Sequence, residues 1–392
     1  MDLALTEEQV LIQSSALDWL AGNYDFRQRA ASLHKDGGSP AAWSAFADMG
    51  WLGLPLPEGD GGLGLGPMEA GLLAQAFGRH LVVEPWHACI VQAGRLLALA
   101  GTPEQRDTWL PRLVAGETRL ALAHMEPGDR VPWTQRKTRA EQTASGWRIH
   151  GEKRQVMAAP GAPGWVVSAP TAGDTGIYLV DPLASGVQMD AYDTSAGGRA
   201  ADARFDKVPA QACLVDSENG EATELLHQVI AEGIVNRGWE ATGTMQAALA
   251  QTMSYTQQRM QFGQALSQFQ VVQHRLAEMA VHCAEAQAAC ELASMRLAIE
   301  PASGVAMAGM LKTKLGRAAR FVAQEAVQLH GAMGVCEELP VAAMFRALLA
   351  FGQLDGDAPS HASWLGQGLL HSGDFAHSQT LRADPCLMEA VV

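Results

Sequence analysis

Three long stretches of helical apolar period, near residues 221–258, 267–298 and 303–331, restrict the fold of this chain more than any other feature. Helices of that length stay soluble only by burying an apolar stripe against one another. The breaks between them, QFGQALSQF, EPASG and HGAMG, are short and rich in turn residues, so successive helices return antiparallel. A four-helix bundle with shorter helices after it is therefore expected over 216–380, leaving a tail at 381–392.

The texture before the bundle changes twice. Between residues 118 and 215 the runs RLALAHM, GWRIHGEKRQVM, WVVSAP, GIYLVD and ADARFDKV are short, β-prone and separated by turns, which predicts a β-barrel or β-sandwich domain. Residues 1–117 are helical in period. Thr6 stands before Glu7 and Glu8 as an N-cap stands before an acidic first turn. The fold class is thus α+β and multidomain: an α-helical N-terminal domain, a central β domain and a C-terminal bundle. The glycine-rich stretch from Pro57 to Pro67 lacks a phosphate-loop pattern and reads as a surface connection.

Charge narrows the function. Forty-two acidic residues against 28 basic ones give a net charge of −14, which argues against nucleic acid or an anionic membrane as partner. The N-terminus MDLALTEEQV has no charged segment leading an apolar one, and no run reaches the roughly 18 apolar residues of a membrane span. A soluble, cytoplasmic protein is expected. Cys89, Cys213, Cys283, Cys290, Cys336 and Cys386 form no C-x-x-C pair and no zinc-spaced cluster, so reduced thiols and no metal site are expected.

Two segments carry chemistry. In YTQQRMQFGQALSQFQVVQHRLAEM, Tyr255–Met279, Arg259 offers a guanidinium able to pair with a pyrophosphate through parallel hydrogen bonds. In AVQLHGAMGVCEELPVAAMFR, Ala326–Arg346, a loop at Gly331 lets backbone approach a planar or anionic ligand. Plainer readings are a surface ion pair for the arginine and a helix stop for the glycine.

Together the segments resemble the acyl-CoA dehydrogenase signatures: an Arg, a Phe-Gly break and a helix with Gln and Leu-Ala-x-Met, then a Gln-x-x-Gly-Gly-x-Gly turn followed by Pro and Arg. With the domain order, the resemblance covers nearly the whole chain. It implies FAD as cofactor, held through Arg259, Gln261, Phe262 and Gln270 and through Gln328, Leu329, His330, Gly331 and Ala332. It further implies that these groups reach across a subunit boundary to a flavin whose ring lies in the neighbouring chain. The partners implied are an acyl-CoA substrate, an electron-transfer flavoprotein and a same-family subunit, in a homodimer, homotetramer or heterotetramer.

The chain departs from the family where it would hold its own flavin ring. Relatives carry Thr-Glu-Pro-Gly-x-Gly-Ser, and this sequence has HMEPGDRV, which keeps Glu126, Pro127 and Gly128 but no hydroxyl group. The family's Trp-Ile-Thr aligns with Gln155, Val156 and Met157. That asymmetry resembles the small subunits of heteromeric acyl-CoA dehydrogenases of the pimeloyl-CoA and steroid side-chain types.

Desaturation needs a carboxylate to take the substrate's α-proton. Counting along the family's pattern from Arg346 reaches Asp355 in QLDGDAPSH, one methylene shorter than the family's Glu, and the same Asp-Gly-Asp also reads as a turn with a helix cap. The family's alternative position, counted back from Arg259, falls on Gly233, which has no side chain to act. Glu240, two turns along nearly the same helix face, is the second candidate, and Arg237 stands where it can pair with it. His124 and His330 are further titratable groups, with His330 and His274 reading as positional.

Three functions are compatible with these residues: α,β-dehydrogenation of an acyl-CoA with FAD, a non-catalytic subunit completing a partner's FAD site, and a flavin oxidase using an aspartate base on a substrate without CoA.

Overall fold

The structure is a computed structural model, and it describes residues 4–33, 38–134, 137–171, 175–216 and 221–372. The expected tail at 381–392 and Cys386 lie outside the described residues.

The first helices begin where local capping chemistry permits. Thr6 caps α1 (Glu7–Asn23) in a reciprocal box with Gln9, whose backbone N–H donates to the threonine hydroxyl at 3.2 Å. α2 (Phe26–Ser32), α3 (Pro40–Asp48), α4 (Pro67–His80), a π-helical turn at His87–Gly94 running into α5 (Arg95–Ala100), and α6 (Pro103–Val114) complete this region. Their shared core is aromatic: Phe46 lies 5.1 Å from both Trp51 and Phe77, and Trp86 meets Phe77 edge-on.

The glycine-rich stretch folds back on its own backbone beside Leu54 and Leu56, so it is a packed connection.

Seven strands follow: β1 (Leu120–Ala123), β2 (Arg139–Thr143), β3 (Gly146–Met157), β4 (Gly164–Pro170), β5 (Thr175–Val180), β6 (Val187–Asp193) and β7 (Arg199–Asp216). They pair in the order β1-β4-β5-β7-β3-β2, with β6 also on β7. The 18-residue β7 holds β6 and β3 along its first half and β5 along its second, so it joins both halves of the sheet. Two of these strands were absent from the sequence reading. β2 and β6 are mostly exposed polar strands, RAEQT and VQMDAYD, and only pairing with apolar neighbours makes them strands.

The bundle comprises α7 (Glu221–Gln258), α8 (Gln270–Ile299), α9 (Gly304–His330), α10 (Pro340–Gln353) and α11 (Ala358–Ser372). The three long helices match the three periodic stretches. Between α7 and α8, β8 (Met260–Gln261) pairs with β9 (Gln264–Ala265) around Phe262 and Gly263, both with positive φ, a tight hairpin turn that glycine makes accessible.

α7 is buried on several sides because α4 packs on it as closely as α9 does. At Gly78 a Cβ would lie 1.8 Å from the backbone oxygen of Glu240, so only glycine permits that approach of α4 to α7.

Among the described residues no helix is long and apolar enough to cross a membrane. Nor do three His, Cys, Asp or Glu side chains gather as a metal site there. The described cysteines form no disulfide, and Cys89, Cys283 and Cys290 are buried, as expected for small core thiols.

Candidate functional site

Two separate groups of residues stand out: a cavity between the β domain and the helices, and an outward-facing end of the bundle.

The cavity encloses about 460 Å³. Its mainly apolar wall comes from Phe77 on α4, the segment Leu81–Ala88, which also carries Glu84 and His87, and Ala347 and Ala350 on α10. Its β-domain wall is Gln155, Met157 and Ala158 together with the turn between β6 and β7. Arg29 braces that turn, because its buried guanidinium donates to Leu81 O at 2.7 Å and Ala196 O at 2.8 Å. The polar wall is one face of α7, where Arg237, Glu240 and Thr244 recur at helical spacing.

Glu240 faces this cavity, and burial raises its carboxyl above the usual range while nearby Arg237 draws it back down. At Gly233 the amide of Gln92 occupies the adjoining space, 3.0 Å from where a Cβ would stand.

Asp355 sits differently. Its Oδ1 lies 3.7 Å from His124 Nε2 and its Oδ2 lies 3.7 Å from Arg237 Nε, while neither Asp355 nor His124 lines the cavity. The residue adopts φ 55°, a left-handed turn that aspartate tolerates. His361 secures the turn: burial pulls its imidazole down to about 4, so it is neutral near pH 7 and Nε2–H donates to Asp355 O at 2.8 Å. Asp357 caps α11 by accepting from Ser360 N at 2.8 Å.

Lys312 lies beneath. Its ammonium donates to Leu354 O at 2.5 Å and to Phe351 O, closing the C-terminus of α10, and burial pulls it down to about 7 against the pull of Asp355. Arg346 is engaged bidentately by Glu337 at 2.7 and 2.9 Å.

In the segment after β1, which would face a flavin ring, Glu126 is structural. Lys153, fully buried, donates to Glu126 Oε1 at 2.7 Å and to His124 O and Ser168 Oγ at 3.2 Å. Burial alone would raise Glu126, but Lys153 and the N–H groups of Lys137 and Thr138 hold its carboxyl below the usual range.

The outward end holds the other expected residues. Tyr255 stacks on His330 with ring centroids 4.4 Å apart, tying the end of α7 to the end of α9. The β8–β9 hairpin, the start of α8 and the turn after α9 consequently emerge together. Arg259, Gln261, Phe262, Gln270, Gln328, Gly331 and Ala332 are exposed there, whereas Leu329 is half-buried and His330 buried. None of the nine lines the cavity.

The Arg259 guanidinium makes no ion pair among the described residues. A Cβ on Gly331 would meet nothing within 4 Å, which leaves its turn open to a ligand. Phe262 is 90% exposed, and Met260 before it in the hairpin, Val271 at the start of α8 and Val335 after α9 are more than half exposed, apolar surface of a kind that another chain can cover.

A free guanidinium, three amide side chains and an open turn fit the anionic and adenine portions of a dinucleotide. At the positions that align with the family's flavin-ring motifs, by contrast, Met125, Gln155 and Met157 supply neither the hydroxyl groups nor the stacking ring that the family pattern calls for. His87, Lys312 and His361 escaped the sequence reading. Lys312 alone left a signal, a lysine on the buried stripe of α9 between Ala308 and Leu315.

The chain matches the N-terminal domain of acyl-CoA dehydrogenases over residues 6–117 and the C-terminal domain over residues 225–370. The acyl-CoA dehydrogenase FadE28 of Mycobacterium tuberculosis is 31% identical over 82% of this chain and 89% of its own. The caffeyl-CoA reductase-Etf complex subunit CarC of Acetobacterium woodii is 27% identical over 79% of this chain and 84% of its own.

Among solved structures, a Tcur3481–Tcur3483 steroid ACAD superposes with a TM-score of 0.86 at 27% identity, covering 94% of this chain and 99% of that one. The ChsE4–ChsE5 complex from Mycobacterium tuberculosis gives 0.83 at 25% identity with the same coverage.

Proposed function

Because the chain belongs to the acyl-CoA dehydrogenase family, FAD-dependent oxidoreductases acting on acyl-CoA, we propose that it works as one subunit of an acyl-CoA dehydrogenase whose flavin sites are shared between chains. The outward end supports this most. Arg259, Gln261, Gln270 and Gln328 stand unburied around an open glycine turn and beside exposed apolar surface, an arrangement that a monomer has no use for. There Arg259 pairs with the pyrophosphate of a dinucleotide seated mainly on a neighbouring chain, and the amides bind its adenine side.

The reaction is α,β-desaturation of an acyl-CoA thioester. Bound FAD supplies the acceptor for the hydrogen that leaves the β-carbon. In this chain, the cavity takes the acyl group against Phe77, Leu81 and the α10 alanines. Glu240 takes the α-proton in this reading, which is supported by its position on the cavity wall and by burial, which raises its proton affinity. Electrons then pass to an electron-transfer flavoprotein, a role supported by the similarity to the Etf-complex subunit CarC.

A second reading has its own observation. Asp355 is held by Arg237 and His124, and the positions that align with the family's flavin-ring motifs carry neither a hydroxyl group nor a Trp, which favours a subunit that completes a partner's FAD site without turning over substrate itself. The flavin-oxidase reading rested on Asp355 as base and loses that support, since its carboxylate oxygens are turned to Arg237 and His124 and the residue does not line the cavity. The visible spectrum of the chain purified alone separates the first two readings. Bound flavin that bleaches with acyl-CoA, with bleaching lost in Glu240→Gln, supports the catalytic one; a colourless chain that restores flavin to a co-expressed sister chain supports the other.

A further inference from the structure

Arg237 and Glu240 both line the cavity from α7, at a spacing where a helix pairs opposite charges. They do not pair. Among the described residues Arg237 forms its ion pair with Asp355, Nε to Oδ2 at 3.7 Å, and the Glu240 carboxylate accepts no hydrogen bond. One cation thus has two carboxylates within its range, and the turn before α11 holds it. Asp355 is fixed before it pairs, because His361 donates to its backbone oxygen at 2.8 Å and His124 stands 3.7 Å from its other carboxylate oxygen. Glu240 would have to order a longer, free side chain to do the same.

The other charged groups nearby have partners of their own. Across the cavity from Glu240 stand Glu84 and His87 on the segment after α4, with Tyr192, Asp193 and Arg199 beside the β6–β7 turn. Glu84 accepts from Tyr24 at 2.7 Å and from Ser39 N at 3.0 Å, His87 faces Asn236 at 2.9 Å, and Arg199 pairs with Asp193 at 3.0 Å. Among the described residues α4 and α10 bring no titratable group to the cavity. Around Asp355 are His124, His361 and Lys312, with Asp357 in the same turn. Burial raises the Glu240 carboxyl, and Arg237 is the charge that draws it back down.

We propose that Asp355 is a positioning residue: it holds the Arg237 guanidinium away from Glu240 and so keeps Glu240 free to accept a proton at the cavity. The proposal rests on the reading of Glu240 as base. Without the Asp355 charge, Arg237 turns to the other carboxylate on its helix face. An ion-paired Glu240 loses its proton at lower pH and is the weaker base. Asp355 thereby acts on the reaction from outside the cavity.

The test is the rate of flavin bleaching by butanoyl-, octanoyl- or hexadecanoyl-CoA, followed across pH in the full chain with any partner chain that co-purifies. Asp355→Asn is expected to lower the midpoint of the acid limb by about 1–3 units, with a slower plateau. Arg237→Gln is expected to raise that midpoint above wild type, because burial then acts on Glu240 unopposed. The double variant Asp355→Asn, Arg237→Gln is expected to match Arg237→Gln, since the aspartate has no cation left to hold. That comparison serves where the asparagine variant folds poorly. An unmoved midpoint in Asp355→Asn, or bleaching lost in the double variant but kept in Arg237→Gln, overturns the positioning role alone. Bleaching kept in Glu240→Gln, or absent from wild type with all three thioesters, overturns the reading of Glu240 as base and this proposal with it.

Discussion

The carboxylate of Asp355 lies 3.7 Å from the guanidinium of Arg237, and its second oxygen lies the same distance from His124. One buried aspartate therefore joins the turn before α11 to the face of α7 and to the end of β1. Removing its charge leaves Arg237 and Lys312 without their shared counter-charge in a poorly solvated place. Asp355→Asn is expected to destabilise the fold by about 3–5 kcal/mol in chemical denaturation. Loss of turnover with unchanged stability would instead return Asp355 to the role of base.

Glu126 gives the pH dependence a sign. Its folded carboxyl titrates below its unfolded value, so its contribution to stability is complete above about pH 4.3 and disappears as pH falls through the folded pKa. Denaturation midpoints measured from pH 7 to pH 3 should fall in the acid range, and less steeply in the double variant Glu126→Gln, Lys153→Met, which removes the pair together. Lys153→Met alone leaves the carboxylate buried and unpaired, and it should cost about 3–5 kcal/mol at pH 7.

Gly78→Ala places a methyl group where the Glu240 backbone oxygen already stands, 1.8 Å from the new atom. α4 and α7 must separate. The expected cost is about 1–3 kcal/mol, together with altered acyl-CoA affinity, because Gly78 and Glu240 both line the cavity. Thermal melting and thioester titration of the variant check both effects.

How much of this was readable beforehand depends on where each physical constraint resides. The long helices were legible because their burial is written in a 3.6-residue period, and Thr6 because capping is local. β2 and β6 were not, since their residues are polar and their pairing is supplied by β3 and β7. Gly78 was equally opaque: nothing in its neighbours says that another helix's backbone passes within contact.

At the site, Arg259 and the turn at Gly331 were legible as motif residues, and the structure adds that they face outward. Asp355 was located by counting along the chain, but counting gives no direction, and the left-handed turn held by His361 sets its carboxylate against Arg237 and His124 and leaves it out of the cavity lining.

The outward dinucleotide grip is tested most directly by Arg259→Ala. Since Arg259 is exposed and makes no ion pair among the described residues, the isolated variant should melt within about 0.5 kcal/mol of wild type. Flavin content, measured by absorbance after co-purification with the chain's natural partner subunits, should drop at least several-fold in the variant. Full flavin retention in an intact assembly would contradict the account.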